Sequence, residues 1–200
     1  MSGTFPTSPK FQSLAVSSNQ STFVSRSISG RRQSRQIGGQ YWRMRATFPP
    51  MTRAQFAPIY AFVIKQRGRY ESFSVVPAVI STGQGSPAGT PLMRGASQTG
   101  RTLATDGWSA GIAIFKAGDF LKIAGNDKVY MVTADVTSNA STSADTPITI
   151  EPALVASPAD DAAITHSSVP FTVALRAGVQ EFATGTTGLF QFEIDMEEVL

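Results

Sequence analysis

The 200-residue chain contains no cysteine and a single histidine, His166. The first absence excludes disulfides, thiolate metal centres and cysteine nucleophiles. The second excludes any metal centre built from several imidazoles. No apolar run reaches the ~18–20 residues that a membrane-crossing helix needs. The opening MSGTFPTSPK has no charged segment followed by an apolar one, so no secretory signal is expected. The last absence is the most informative: residues 1–70 carry no Asp or Glu.

What those 70 residues do carry is eleven bases: Lys10, Arg26, Arg31, Arg32, Arg35, Arg43, Arg45, Arg53, Lys65, Arg67 and Arg69. Residues 71–200 hold all 14 acids and six bases, a balance of −8 against +11 for the first part. The overall charge of +3 conceals this polarity. At 42% hydrophobic residues, with 13 Phe, the chain can build an aromatic-rich core, and its length suits one large or two small domains.

Residues 1–25 are rich in Ser, Thr, Gln and Pro and read as an extended N-terminal arm, either disordered or ordered against a neighbour, with a short strand at 11–16. A strand near 23–28 leads into residues 26–40. That segment is basic and glycine-containing, with Gly30, Gly38 and Gly39, and reads as a long hairpin loop. Tyr41–Phe48 alternates, with Trp42, Met44, Ala46 and Phe48 on one side and Tyr41, Arg43, Arg45 and Thr47 on the other. Period two with one apolar face is a half-buried strand. Pro49 and Pro50 end it, because proline cannot donate to a ladder.

Thr52 followed by Gln55 has the form of a capping box, and Phe56, Ile59, Tyr60 and Val63 recur at helical spacing. A helix is expected over 52–67, with Pro58 as a kink or a loosened turn and Gly68 just past its end. Strand character resumes over 70–80. Residues 81–100 are rich in Gly, Pro, Ser and Thr and read as a connection between domains. From Thr102 onward, short apolar runs alternate with turn signals: 112–115, 120–123, 128–136, 148–150, 163–165 and 171–175. That rhythm predicts a small β-barrel or sandwich. The closing Phe190–Met196 alternates again, with Glu193, Asp195 and Glu197 on its polar side. Its acids complement Arg43 and Arg45, so it is expected beside Tyr41–Phe48.

No catalytic constellation emerges. His166 sits in a Thr-His-Ser-Ser turn context and reads as a surface residue. Ser167 and Ser168 lack the G-x-S-x-G setting of a nucleophile elbow. Asp160 and Asp161 read as solvated turn acids, the 135–145 loop lacks calcium-hand spacing, and Gly83 and Gly85 lack the third glycine of a dinucleotide fingerprint. The chain is therefore expected to be no enzyme and to need no cofactor or metal. The basic segment remains. Interleaved Arg, Tyr41 and Trp42 suit a nucleic-acid patch. They suit better a contact with the acidic part of an identical neighbour, because head-to-tail contacts of this kind close into rings. The residues expected at that contact are Arg31, Arg32, Arg35, Arg43, Arg45, Glu193 and Asp195.

Several stretches resemble tail proteins of tailed bacteriophages, the distal-tail-like family in particular: SGRRQSRQIGGQYWRMRATFPPMTRAQFAPIYAFVIKQRGRYESF at 29–73, GRTLATDGW at 100–108, KAGDFLKIAGNDKVYMVTADV at 116–136, ITIEPAL at 148–154, and VPFTVAL with the terminal strand. The resemblance implies a structural virion protein, assembled in the host bacterial cytoplasm, that forms a ring of six at the distal end of the tail. Such a ring links the tail tube protein to hub proteins of the tip or baseplate, with no membrane or specific nucleic acid involved. A neck or head-to-tail position is the alternative place in the virion. The implied fold is mainly β: a tube-like split β-barrel or sandwich (26–85 and 177–200) with one flanking α-helix, and a small inserted β-barrel-like domain (86–176).

Overall fold

A computed structural model of the chain describes residues 2–185 and 188–200. Its elements in chain order are β1 (Ser13–Arg26), β2 (Arg32–Thr47), α1 (Arg53–Lys65), β3 (Ser72–Val75), β4 (Gly89–Met93), β5 (Thr102–Trp108), β6 (Ala113–Phe115), β7 (Phe120–Ile123), β8 (Val129–Val132), β9 (Val136–Thr137), β10 (Thr146–Glu151), β11 (Ile164–Thr165), β12 (Phe171–Leu175), β13 (Phe182–Thr184) and β14 (Phe190–Glu198). The fold is mainly β with one helix, as expected. The chain divides into two compact units: residues up to Phe73 together with Val173–Val199, and Ser74–Thr172. The first is discontinuous in sequence and the second is inserted into it.

In the first unit the sheet order is β1-β2-β14-β12-β3, with β13 added beside β14. The terminal strand lies against β2 in antiparallel register, Ile194 opposite Ala46 and Met196 opposite Met44. Alternation places these apolar residues on one face, where all four are fully buried. α1 covers that face. Its Phe56, Ile59 and Val63 are buried, and the Phe56 ring stacks on Phe190 at 4.7 Å and meets Phe192 edge-on at 5.8 Å. Each such side chain contributes about 1.5–3 kcal/mol by leaving water. The helix begins at the N-cap Thr52, whose backbone N–H donates to Gln55 Oε1 at 3.1 Å. It continues through Pro58 and stops where Arg67 and Gly68 take positive φ.

Two expectations about the N-terminal quarter are corrected. Residues 2–12 are no free arm: Phe5 is buried among Phe11, Phe48, Phe62 and Phe73, with ring centroids 5.5–6.2 Å away. The Ser2 N–H also donates to Ser72 O at 2.8 Å. Nor is 26–40 a long loop. β1 and β2 pair from Ser13–Thr47 out to Arg26–Arg32, so only Ser27–Arg31 turn. The turn is closed by Gly30 N–H to Ser27 O (2.9 Å) and Ser27 N–H to Arg31 O (3.0 Å). Backbone pairing needs no apolar face, and a ribbon solvated on both sides shows no period-two signal. The register shifts between Gln20 and Thr22, leaving Ser21 opposite Ile37, Gly38 and Gly39. These glycines mark a bulge rather than a flexible connection.

The second unit holds a six-stranded sheet in the order β11-β7-β8-β10-β5-β4. Its two ends meet: Met93 N–H donates to Ala162 O at 2.9 Å, Asp161 N–H donates to Met93 O at 3.0 Å, and Leu92 bridges Ala163. The sheet is thus nearly closed into a small barrel around Leu103, Trp108, Tyr130, Ile148 and Ile150. The buried Trp108 indole N–H donates to Thr105 Oγ1 at 2.9 Å, and the Thr105 hydroxyl donates to Thr146 O at 2.7 Å. Residues 81–100, expected as a connection, belong to this barrel. Asp119 accepts the Gln84 N–H at 2.8 Å and the Gly85 N–H at 3.3 Å. A Cβ on Gly85 would lie 2.2 Å from Ile114 O. Glycine there permits close backbone approach. The boundaries accordingly fall at 73/74 and 172/173, in place of 85/86 and 176/177. The strand expected over 70–80 ends at Val75, since Pro77 has no N–H and its carbonyl closes a turn with Ile80 (3.1 Å).

Candidate functional site

Beyond the bulge, every residue of β1 and β2 from Ser21 to Ile37 is exposed. This distal ribbon carries Arg26, Arg31, Arg32 and Arg35 together with the exposed apolar side chains of Phe23, Val24, Ile28 and Ile37. Phe23 is 58% exposed and Ile37 66%. Register places Arg26 directly opposite Arg32, and Phe23 opposite Arg35. Like charges across a ladder repel, and no carboxylate of the described residues pairs with any of these four arginines.

Arg43 and Arg45 have a different fate. They share the polar face of β2 with the acids of β14, where Arg45 opposes Asp195 and Arg43 opposes Glu197. Arg43 reaches diagonally to Asp195, donating Nε to Oδ1 at 3.1 Å and Nη2 to Oδ2 at 2.6 Å. Arg45 Nε sits 2.9 Å from Glu193 Oε1. Arg176 adds a bond to Asp195 Oδ2 at 3.2 Å, and Arg69 Nη2 lies 3.4 Å from Glu197 Oε1. Hydrogen bonding to Arg43 holds the Asp195 carboxyl below the usual carboxylate range, against the opposing effect of burial and with further help from Arg176. The same bond raises the Arg43 guanidinium.

The seven residues expected at one intermolecular contact are therefore divided. Arg31, Arg32 and Arg35 lie on the free ribbon. Arg43, Arg45, Glu193 and Asp195 are partnered with each other within the chain. Arg176 and Arg69 were missed as members of that face, and Glu197, placed on it by the sequence, was not expected to pair with Arg69. The period-two alternation of β14 already put Glu197 there, but nothing local signals that β12 brings Arg176 alongside.

A groove of about 570 Å³ opens in the same unit between the ends of β2, β13 and β14. Phe48, Pro50, Phe182 and Phe192 give it an aromatic and apolar wall, and Glu181 and Glu193 give it two carboxylates. Sequence reasoning did not single out Glu181 or Phe182, because β13 is only three residues long and shows no period.

Among the described residues, no group of three or more His, Asp or Glu side chains is placed to hold a metal ion. His166 is not the plain surface residue it was expected to be. Its Nδ1 is buried without a hydrogen-bond partner, its ring lies 5.8 Å from Trp108, and burial pushes its pKa down. No helix among the described residues is long and apolar enough to cross a membrane. No protein-family model matches the chain, and no curated protein is significantly similar to it.

Proposed function

We propose that this chain is a structural virion protein of a tailed bacteriophage, forming a homo-oligomeric ring at the distal end of the tail and linking the tail tube to the tip or baseplate. The place in the virion rests on the sequence resemblance, and a neck or other minor tail position is the alternative within the same class. The observation that carries ring formation is the distal ribbon: four arginines without a carboxylate partner among the described residues, and four exposed apolar side chains, on one hairpin. Ordering such a hairpin in water leaves apolar surface exposed and like charges opposed. Both costs fall when a partner surface covers it. The ribbon holds no acid, so an acidic surface that receives it is a different patch of the molecule, and such a head-to-tail contact can close into a ring.

Native mass spectrometry and negative-stain electron microscopy test this directly. A closed oligomer of defined order is expected. A chain that stays monomeric at every concentration overturns the reading.

A second reading of another class has its own support in the acid-free first 70 residues: the ribbon as a nucleic-acid ligand, since two-stranded β-ribbons enter the major groove. It predicts binding of duplex DNA that weakens steeply with salt, without any requirement for a closed oligomer.

A further inference from the structure

We infer that the surface receiving the ribbon is the groove between β2, β13 and β14 of a second copy, with the Arg26–Arg32 pair of one chain set against Glu181 of the next. This rests on the ring reading above and adds to it the partner surface.

Three observations converge on that surface. The first is a charge account of the first unit. Glu71 pairs with Arg67, Glu193 with Arg45, Asp195 with Arg43 and Arg176, and Glu197 with Arg69, while Glu198 accepts the Trp42 backbone N–H at 3.1 Å. Glu181 is the carboxylate of this unit left with no partner among the described residues.

The second is the chemistry of the ribbon tip. Arg26 and Arg32 face each other across the ladder, and no carboxylate of the described residues pairs with either. A carboxylate placed there turns a repulsive cross-strand pair into two charge-assisted contacts. The third is the complementarity of the remaining surfaces. The tip offers Phe23, Val24 and Ile28, all exposed, and the groove offers Phe182, backed by the buried Phe48 and Phe192, beside its two acids. Phe182 is itself 44% exposed. A volume of about 570 Å³ accommodates several side chains of a hairpin tip.

The test is a charge swap on the full chain, read by native mass spectrometry and by sedimentation at several concentrations. Glu181→Arg alone, and Arg26→Glu with Arg32→Glu, should each weaken assembly by about tenfold or more, equivalent to about 1.4 kcal/mol. The combined variant should recover to within a few-fold of the parent. Circular dichroism of each variant checks that the monomer still folds, and Glu181→Gln provides a milder probe that should show a smaller loss in the same direction. If the parent forms a ring and Glu181→Arg assembles as well as it does, the groove is not the receptor and this inference alone falls. Failure of the combined variant to recover also overturns it. A parent that never assembles removes the ring reading itself. Binding of duplex DNA that needs Arg26 and Arg32 but ignores Glu181 assigns the ribbon to nucleic acid, and overturns the groove.

Discussion

Arg43 on β2 donates through both Nε and Nη2 to the carboxylate of Asp195 on β14, across a diagonal of the sheet. The two residues lie 152 positions apart, and their pairing joins the terminal strand to the beginning of the chain. Arg176, the residue that follows β12, completes the arrangement at 3.2 Å, so one carboxylate links β2, β14 and the end of β12.

Asp195 therefore links stability to pH. Its folded pKa lies below the unfolded value, so its contribution is present above the ordinary aspartate range near 3.9. That contribution is lost as pH falls through the depressed folded value. Asp195→Asn should lower the thermal midpoint at pH 7 by roughly 2–4 °C. It should also flatten the acid limb of stability below pH 4. Calorimetry across pH 2–7 measures both, and an unchanged acid limb would show that the pair contributes nothing.

Replacing Arg31, Arg32 and Arg35 together with Ser should weaken ring assembly while leaving the monomer folded. These residues are exposed and make no ion pair with the described residues, so the fold does not depend on them. Exposed pairs are worth about 0–1 kcal/mol each, so the effect should be clearest at low salt. Equal assembly of variant and parent at low and high salt would remove the ribbon as the connector.

Phe56→Ala should destabilise the first unit by about 3–5 kcal/mol. Phe56 is buried on α1 and its ring meets Tyr60, Phe182, Phe190 and Phe192 at 4.7–5.8 Å. Urea unfolding followed by far-UV circular dichroism reports the shift in midpoint. A loss below ~1 kcal/mol would mean that the helix is not held by this cluster.

Gly107→Ala should destabilise the second unit. Gly107 has φ +75, and an added Cβ would lie 2.1 Å from the carbonyl oxygen of Thr90 on the adjacent strand. Both the left-handed conformation and the contact disfavour a side chain. A midpoint equal to that of the parent would show that β4 is free to shift.

His166 should make the same unit less stable as pH falls below about 6.5. Burial lowers its folded pKa, so the unfolded chain binds the proton more readily and stability declines through that window. His166→Gln should flatten the stability profile between pH 7 and 5. A profile unchanged by the substitution would assign the dependence to other groups.

Much of this architecture could be read locally. Tyr41–Phe48 and Phe190–Met196 announce themselves because one face of each is buried and the other wet. α1 is marked by Thr52, Gln55 and the Phe56/Ile59/Val63 stripe, since a helix carries its own hydrogen bonds and its cap. The short strands of the barrel are marked by apolar runs between turns. The distal ribbon was not readable, because its strands are solvated on both faces and leave no alternation to detect. β4 and the segment before it were hidden for a related reason: Gly85 and Gly89 look like linker glycines but serve close backbone approach, which becomes visible only when the opposing carbonyl is in place.

By itself the sequence determined the charge polarity, the absence of cysteine, the single histidine, the single helix and the faces of its two clearest strands. Each of these follows from composition or from contacts within a few residues. Only the tertiary structure decided which arginines are free. Arg43 and Arg45 are matched by acids about 150 positions away, whereas Arg26, Arg31, Arg32 and Arg35 extend past the last acidic neighbour on a ribbon that the rest of the unit does not cover. Local sequence cannot distinguish the two groups, because a counter-charge is assigned by strand order and register, and those are set by burying Met44, Ala46, Ile194 and Met196 on a common face.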